Sequence, residues 1–130
     1  MLIAMLAGTG TDLIEIARIR ETIARHGERF LRKIYTEGEI RYCRARNKNA
    51  AESFAARFAA KEAAAKALGT GIARGVGWRE IEVVRLPGQR PELRLTGRAA
   101  ERAKALGVQA TSVSLTHSRE LAMAVVVMES

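Results

Sequence analysis

Glu62 and Lys66 stand one helical turn apart in the run Arg57-Phe58-Ala59-Ala60-Lys61-Glu62-Ala63-Ala64-Ala65-Lys66. A Glu–Lys pair at this spacing is ordinarily a surface ion pair worth about 0.2–0.5 kcal/mol. Two neighbours point to further chemistry. Lys61 falls on the apolar face of the helix, where an unpaired ammonium is costly, and Arg57 precedes it by one turn. Three cations around one carboxylate suit a polyphosphate, leaving Glu62 to hold a hard divalent cation. Magnesium usually takes one or two carboxylates together with phosphate oxygens and waters, and the obvious second donor is Asp12, the sole aspartate. Spacing alone does not bring Asp12 to Glu62. His117, one of 2 histidines, lies in the polar stretch Thr116-His117-Ser118, where an ordinary turn residue is the simpler reading. One cysteine and 2 histidines give a zinc site no basis. Gly8-Thr9-Gly10 and Gly69-Thr70-Gly71 complete neither a phosphate-loop nor a dinucleotide fingerprint.

These side chains need elements to carry them. The pattern predicts a buried strand over Met1–Ala7, ending in a Gly/Thr turn that holds Asp12. From about Leu13 to Arg32 it predicts one helix, with Ile19, Ile23, His26 and Phe30 on an apolar seam and Arg18, Arg25, Arg29 and Arg32 as a stripe beside it. Thr36 and Glu39 have the spacing of a capping box opening a short helix to about Arg46, and Asn47–Asn49 reads as loop. A long Ala-rich helix follows over Ala51–Leu68, with Gly69 as its terminating residue. The period then changes to two: Glu80–Val83 and Glu92–Leu95 are strands joined through Pro87-Gly88, Gly97–Leu106 is a short helix, and Thr111–Leu115 and Leu121–Met128 are further strands. The expected fold class is α+β, one domain over residues 1–130, with a mostly antiparallel sheet packed on the long helix.

The 130 residues carry 22 Lys+Arg against 14 Asp+Glu, a net charge of +8 that calls for an anionic partner. Most of this excess lies between Arg18 and Lys48, where ten Lys/Arg face four Glu. The 6 aromatic residues are too few for a base-stacking platform, so a nucleic-acid partner is not expected. No apolar run approaches a membrane span, and the lone Cys43 fits a reducing compartment; the expectation is a cytoplasmic protein without a membrane partner.

Several separated segments, in order, resemble the holo-[acyl-carrier-protein] synthases of the 4′-phosphopantetheinyl transferase family. They are Gly10-Thr11-Asp12-Leu13, the run Arg57 to Gly71, Val113-Ser114-Leu115-Thr116-His117-Ser118, Thr36-Glu37, and Trp78 with Ile81-Glu82-Val83. The resemblance implies transfer of the 4′-phosphopantetheine arm of coenzyme A to a serine of apo-acyl carrier protein, in fatty acid biosynthesis. It implies Asp12 and Glu62 as Mg²⁺ ligands, with Glu62 as general base and Lys66 stabilising the leaving phosphate. Arg57, Lys61, Lys66, Gly69, His117 and Ser118 would bind the cofactor. Arg18, Arg25 and Arg29 would face the acidic carrier protein, and the enzyme would be a homotrimer with active sites between subunits. The chain departs from the family pattern at Ala64 and Ala65, where a bulky residue and a serine are usual, and Met5 is an alternative start.

Overall fold

A computed structural model describes residues 5–72 and 75–130. Strand β1 (Leu6–Glu15) leads into helices α1 (Ile16–His26), α2 (Glu28–Ile34) and α3 (Glu37–Arg44). A 3₁₀ turn at Asn47–Asn49 opens the long helix α4 (Ala50–Ala67). A second 3₁₀ turn, Trp78–Glu80, precedes the hairpin of β2 (Ile81–Val84) and β3 (Glu92–Leu95). Helix α5 (Gly97–Ala105) and strands β4 (Ala110–His117) and β5 (Leu121–Glu129) complete the chain. β5 lies between β1 and β4 in a three-stranded antiparallel sheet, and β2–β3 form a separate pair. The α+β class and the mostly antiparallel pairing agree with the expectation.

α4 is the axis of the core. Its alanines at 55, 59, 60, 63, 64 and 65 are fully buried, which suits a helix covered on most of its circumference. β1 and β5 lie across it. On β5 the alternation is strict: Ala122, Ala124, Val126 and Met128 are fully buried while the residues between them face outward. On β1 the inward positions include Gly8 and Gly10. A Cβ at either would run into a backbone carbonyl of α4, of Ala67 and Ala63 respectively. These glycines therefore serve close approach. Reading them as a turn ended the strand too early: β1 runs on to Glu15, and Asp12 sits within it, opposite Ala124. Of the strand expected over Met1–Ala7, residues 1–4 lie outside the described residues.

The single helix expected over Leu13–Arg32 is two. Gly27, at φ 53°, ends α1 and starts α2, so the arginine stripe divides between them. The capping box forms as the spacing predicts: Thr36 Oγ1 accepts from the Glu39 amide, and Glu39 accepts from the Thr36 amide at 2.9 Å. α4 ends at Gly69 with φ 77°, the Thr70 amide bonding to Ala65 O and the Gly69 amide to Lys66 O, a Schellman turn.

Candidate functional site

Alternation along β1 carries Gly8, Gly10, Asp12 and Ile14 on the face toward α4. On α4, Phe58, Glu62 and Lys66 recur every four residues, one stripe of the helix. Because the glycines let strand and helix approach closely, Asp12 meets this stripe. Lys66 Nζ donates to Asp12 Oδ1 at 3.2 Å and to Thr11 O at 2.9 Å. Asp12, Glu62 and Lys66 line one cleft of about 420 Å³, with Arg18, Ile19 and Thr22 of α1 and the ring of Phe58 forming other parts of its wall. Asp12 and Glu62, distant in sequence, thus share a site.

Partial burial pushes the Glu62 carboxyl above its ordinary range, the negative charge of Asp12 adds to this, and Lys66 opposes it. Among the described residues Glu62 has no hydrogen-bond or ion-pair partner, and no third Asp, Glu, His or Cys joins the pair to make a larger ligand cluster. Two carboxylates, one lysine and open volume suit a hard cation that keeps waters and phosphate oxygens in its shell.

The three-cation cluster expected around Glu62 is dispersed, for a helical reason. At 100° per residue, Lys61 points about 100° and Arg57 about 140° away from Glu62, while Lys66 lies within about 40°. Lys61 is fully buried on the side facing α3 and β2, paired to Glu39 at 2.7 Å, and it donates to Ile81 O at 2.5 Å and Trp78 O at 3.1 Å. Burial lowers its pKa, and Glu39 opposes that shift. It is no phosphate ligand here, since no part of the ammonium reaches solvent.

Arg57 opens on a second cleft, of about 330 Å³, shared with His117, Tyr42, Arg46 and Arg85. Its guanidinium lies 4.1 Å from the centroid of the Tyr42 ring, and its Nε is buried without a hydrogen-bond partner among the described residues. Arg46 and Arg85 were not singled out by the sequence. They lie in stretches with no distinguishing pattern, and only the fold turns them toward His117. Gly69 and Ser118 line neither cleft. The amides of Gly69, Thr70 and Gly71 all bond to carbonyls of Lys66 and Ala65, leaving none free to cradle an anion. Ser118 Oγ accepts from the Glu120 and Leu121 amides in the β4–β5 turn. Arg25 and Arg29 are exposed beside Gly27, whereas Arg18 reaches the first cleft.

Residues 8–126 match the 4′-phosphopantetheinyl transferase superfamily. The chain belongs to this superfamily. Phosphopantetheinyl transferase relatives extend over nearly its whole length. It is 50% identical to the holo-[acyl-carrier-protein] synthase of Koribacter versatilis over 125 residues, 96% of this chain and 99% of that one. It is 48% identical to that of Solibacter usitatus over 126 residues, 97% of this chain and 100% of the other. The crystal structure of the Helicobacter pylori holo-[acyl-carrier-protein] synthase in complex with coenzyme A superimposes with a TM-score of 0.81 at 32% identity, covering 92% and 98% of the two chains. The Neisseria meningitidis enzyme gives a TM-score of 0.86 at 31% identity, covering 97% and 100%. The resemblance seen in the sequence motifs and the α+β fold are thereby shown, and the chain is a transferase of this type.

Proposed function

We propose that this transferase moves 4′-phosphopantetheine from coenzyme A to a serine of apo-acyl carrier protein, releasing adenosine 3′,5′-bisphosphate, and serves fatty acid biosynthesis in the cytoplasm. The observation that carries the reading is the convergence of Asp12, Glu62 and Lys66 on one cleft, with Lys66 3.2 Å from Asp12. The Helicobacter pylori relative was crystallised with coenzyme A, which supports the same substrate here. Asp12 and Glu62 would hold Mg²⁺, which when bound supplies positive charge beside the pyrophosphate. Glu62 takes the proton from the attacking serine hydroxyl, directly or through a water. The serine oxygen forms a bond to the phosphorus nearer the pantetheine, and the bond from that phosphorus to the bisphosphate oxygen breaks. Lys66 stabilises the charge that develops on the leaving group, a role whose loss costs about 10²–10³-fold in rate at comparable sites.

One domain, residues 1–130, would carry these functions, but its two clefts open on roughly opposite sides of α4. Phe58, Glu62 and Lys66 line one, and Ser53, Ala56 and Arg57 the other. This supports a site shared between subunits of a homotrimer: the Arg57–His117 cleft of one copy would bind phosphate of a coenzyme A whose pyrophosphate lies at Glu62 of the next. The outer sheet face supports assembly, because Leu13, Leu121 and Met123 are exposed there and Leu13 pairs with Met123. Arg18, Arg25 and Arg29 would orient the acidic carrier protein. No described helix is long and apolar enough to cross a membrane. The test is mass spectrometry of an apo-carrier protein incubated with enzyme, coenzyme A and Mg²⁺. Gain of one phosphopantetheine, abolished by a chelator, is expected. No gain with any divalent cation overturns the proposal, and transfer by a strictly monomeric enzyme overturns the shared site.

A further inference from the structure

Lys61 has no access to either cleft, yet it adjoins Glu62 and is the most heavily bonded side chain of α4. Its ammonium meets Glu39 of α3 at 2.7 Å and the carbonyls of Ile81 and Trp78 at 2.5 and 3.1 Å. Glu39 is itself fixed, accepting from the amides of Thr36 and Val83 at 2.9 and 2.8 Å. Lys61 thus joins α3, α4 and the start of β2 at one buried point. Trp78 continues the connection: its ring stacks on Phe58 with centroids 4.8 Å apart, and Phe58 lines the cleft beside Glu62 and Lys66.

α4 needs such a fastening. The surface it turns toward β1 and β5 is largely alanine, with Ala63 and Ala67 lying against Gly10 and Gly8, so no long side chain keys its rotation on that face. A side chain reaches about 5–6 Å from the helix axis, so a rotation of about 20° would move a carboxylate by about 2 Å. Misplacement by about 1 Å can cost about 10²-fold in rate.

We propose that Lys61 is a positioning residue for the transfer reaction: clamped to Glu39, Trp78 and Ile81, it sets the rotation of α4 and the seat of Trp78 on Phe58, and so aims Glu62 and Lys66 at Asp12. The inference rests on the transferase reading, which transfer by the wild-type enzyme tests separately. The experiment compares wild type with Lys61→Met and with Lys61→Met/Glu39→Gln, in which no charge is left buried alone. Melting temperature, emission of Trp78 (the only tryptophan), and kcat and KM for coenzyme A are measured on each. The double variant should melt closer to wild type than Lys61→Met does, because the uncompensated charge is gone. Its kcat should stay about 10²-fold low. KM for coenzyme A should move less than about threefold, as for an interaction felt only in the transition state. Trp78 emission should shift as the ring leaves Phe58. Recovery of kcat along with melting temperature would make Lys61 a stability residue only, and a raised KM at wild-type kcat would make it a substrate ligand; either overturns the proposal. Should neither Lys61 variant fold, Trp78→Leu decides through the ring contact. A tenfold or greater loss of kcat at constant KM supports the clamp, and wild-type kcat overturns it.

Discussion

Glu39→Ala removes one partner of the buried pair and leaves the other in place. Both side chains are essentially inaccessible and their charged atoms are 2.7 Å apart, so the Lys61 ammonium would remain in the core without a counter-charge. Breaking such a pair typically costs about 3–5 kcal/mol. The variant also strips an acceptor from the Val83 amide, which is buried, and from the Thr36 amide, which lies nearer solvent. An orphaned buried donor costs about 1–3 kcal/mol, though not additively with the charge. A loss of about 4–6 kcal/mol is expected, a large part of the 5–15 kcal/mol typical of a whole domain. At about 3–4 °C per kcal/mol for a chain of this size, the melting temperature should fall by about 12–24 °C. The loss should also depend on pH. Burial lowers the Lys61 pKa and Glu39 opposes this, so removing Glu39 lowers it further. A lysine whose folded pKa is depressed binds its proton less well in the folded state, so stability rises with pH up to the unfolded value near about 10.4. The deficit of Glu39→Ala against wild type should therefore narrow between about pH 7 and pH 9.5. Thermal and urea melts at several pH values measure it. A deficit under about 1 kcal/mol, or one that does not change with pH, would refute the view that Glu39 holds a charged Lys61.

Glu62→Gln should abolish transfer and yet, in metal-free buffer at neutral pH, melt no lower than wild type. An acid with a raised folded pKa costs stability as pH rises through that value, so the amide removes a cost that is absent in acid; a lower melting point at neutral pH would contradict this. Arg29→Ala should raise KM for the carrier protein about three- to tenfold at low salt with kcat unchanged, and the penalty should shrink as salt rises; a salt-independent defect would remove Arg29 from the docking face. Gly10→Ala puts a methyl group against the Ala63 carbonyl. Over-packing of about 1–3 kcal/mol is expected from melts. If the displaced β1 takes Asp12 with it, transfer should fall by about 10²-fold, whereas wild-type kcat would show that close strand–helix approach does not position the carboxylates.

Local rules reached the parts of this molecule that local forces determine. Thr36 and Glu39 close a capping box because their spacing is enough to do so, and Gly69 ends α4 because a left-handed residue there favours glycine. Glycine also marks the place where those rules misread the chain. At Gly27 and Gly69 it supplies a positive φ, but at Gly8 and Gly10 it supplies the absence of a side chain, and a sequence reads alike in both cases. That ambiguity hid Asp12 inside a strand. The break at Gly27 was likewise invisible to a periodicity that continues through it.

The candidate site shows the same limit more sharply in two lysines. Lys61 and Lys66 lie in one alanine-rich helix, each beside a glutamate in sequence or one turn from it, and nothing local separates their roles. What separates them is which elements cover each face of α4. β1 leaves Lys66 at the rim of a cleft, half exposed and paired with Asp12, with its ammonium open to solvent. α3 and the start of β2 close over Lys61, and Glu39, the carboxylate of the α3 capping box, becomes its counter-ion. The capping box was legible; its second use was not, because the partner is brought from another element. A carboxylate committed to two backbone amides and a buried ammonium can hold α4 in one rotational setting, and a site built from side chains on that helix needs such a constraint more than it needs another cation.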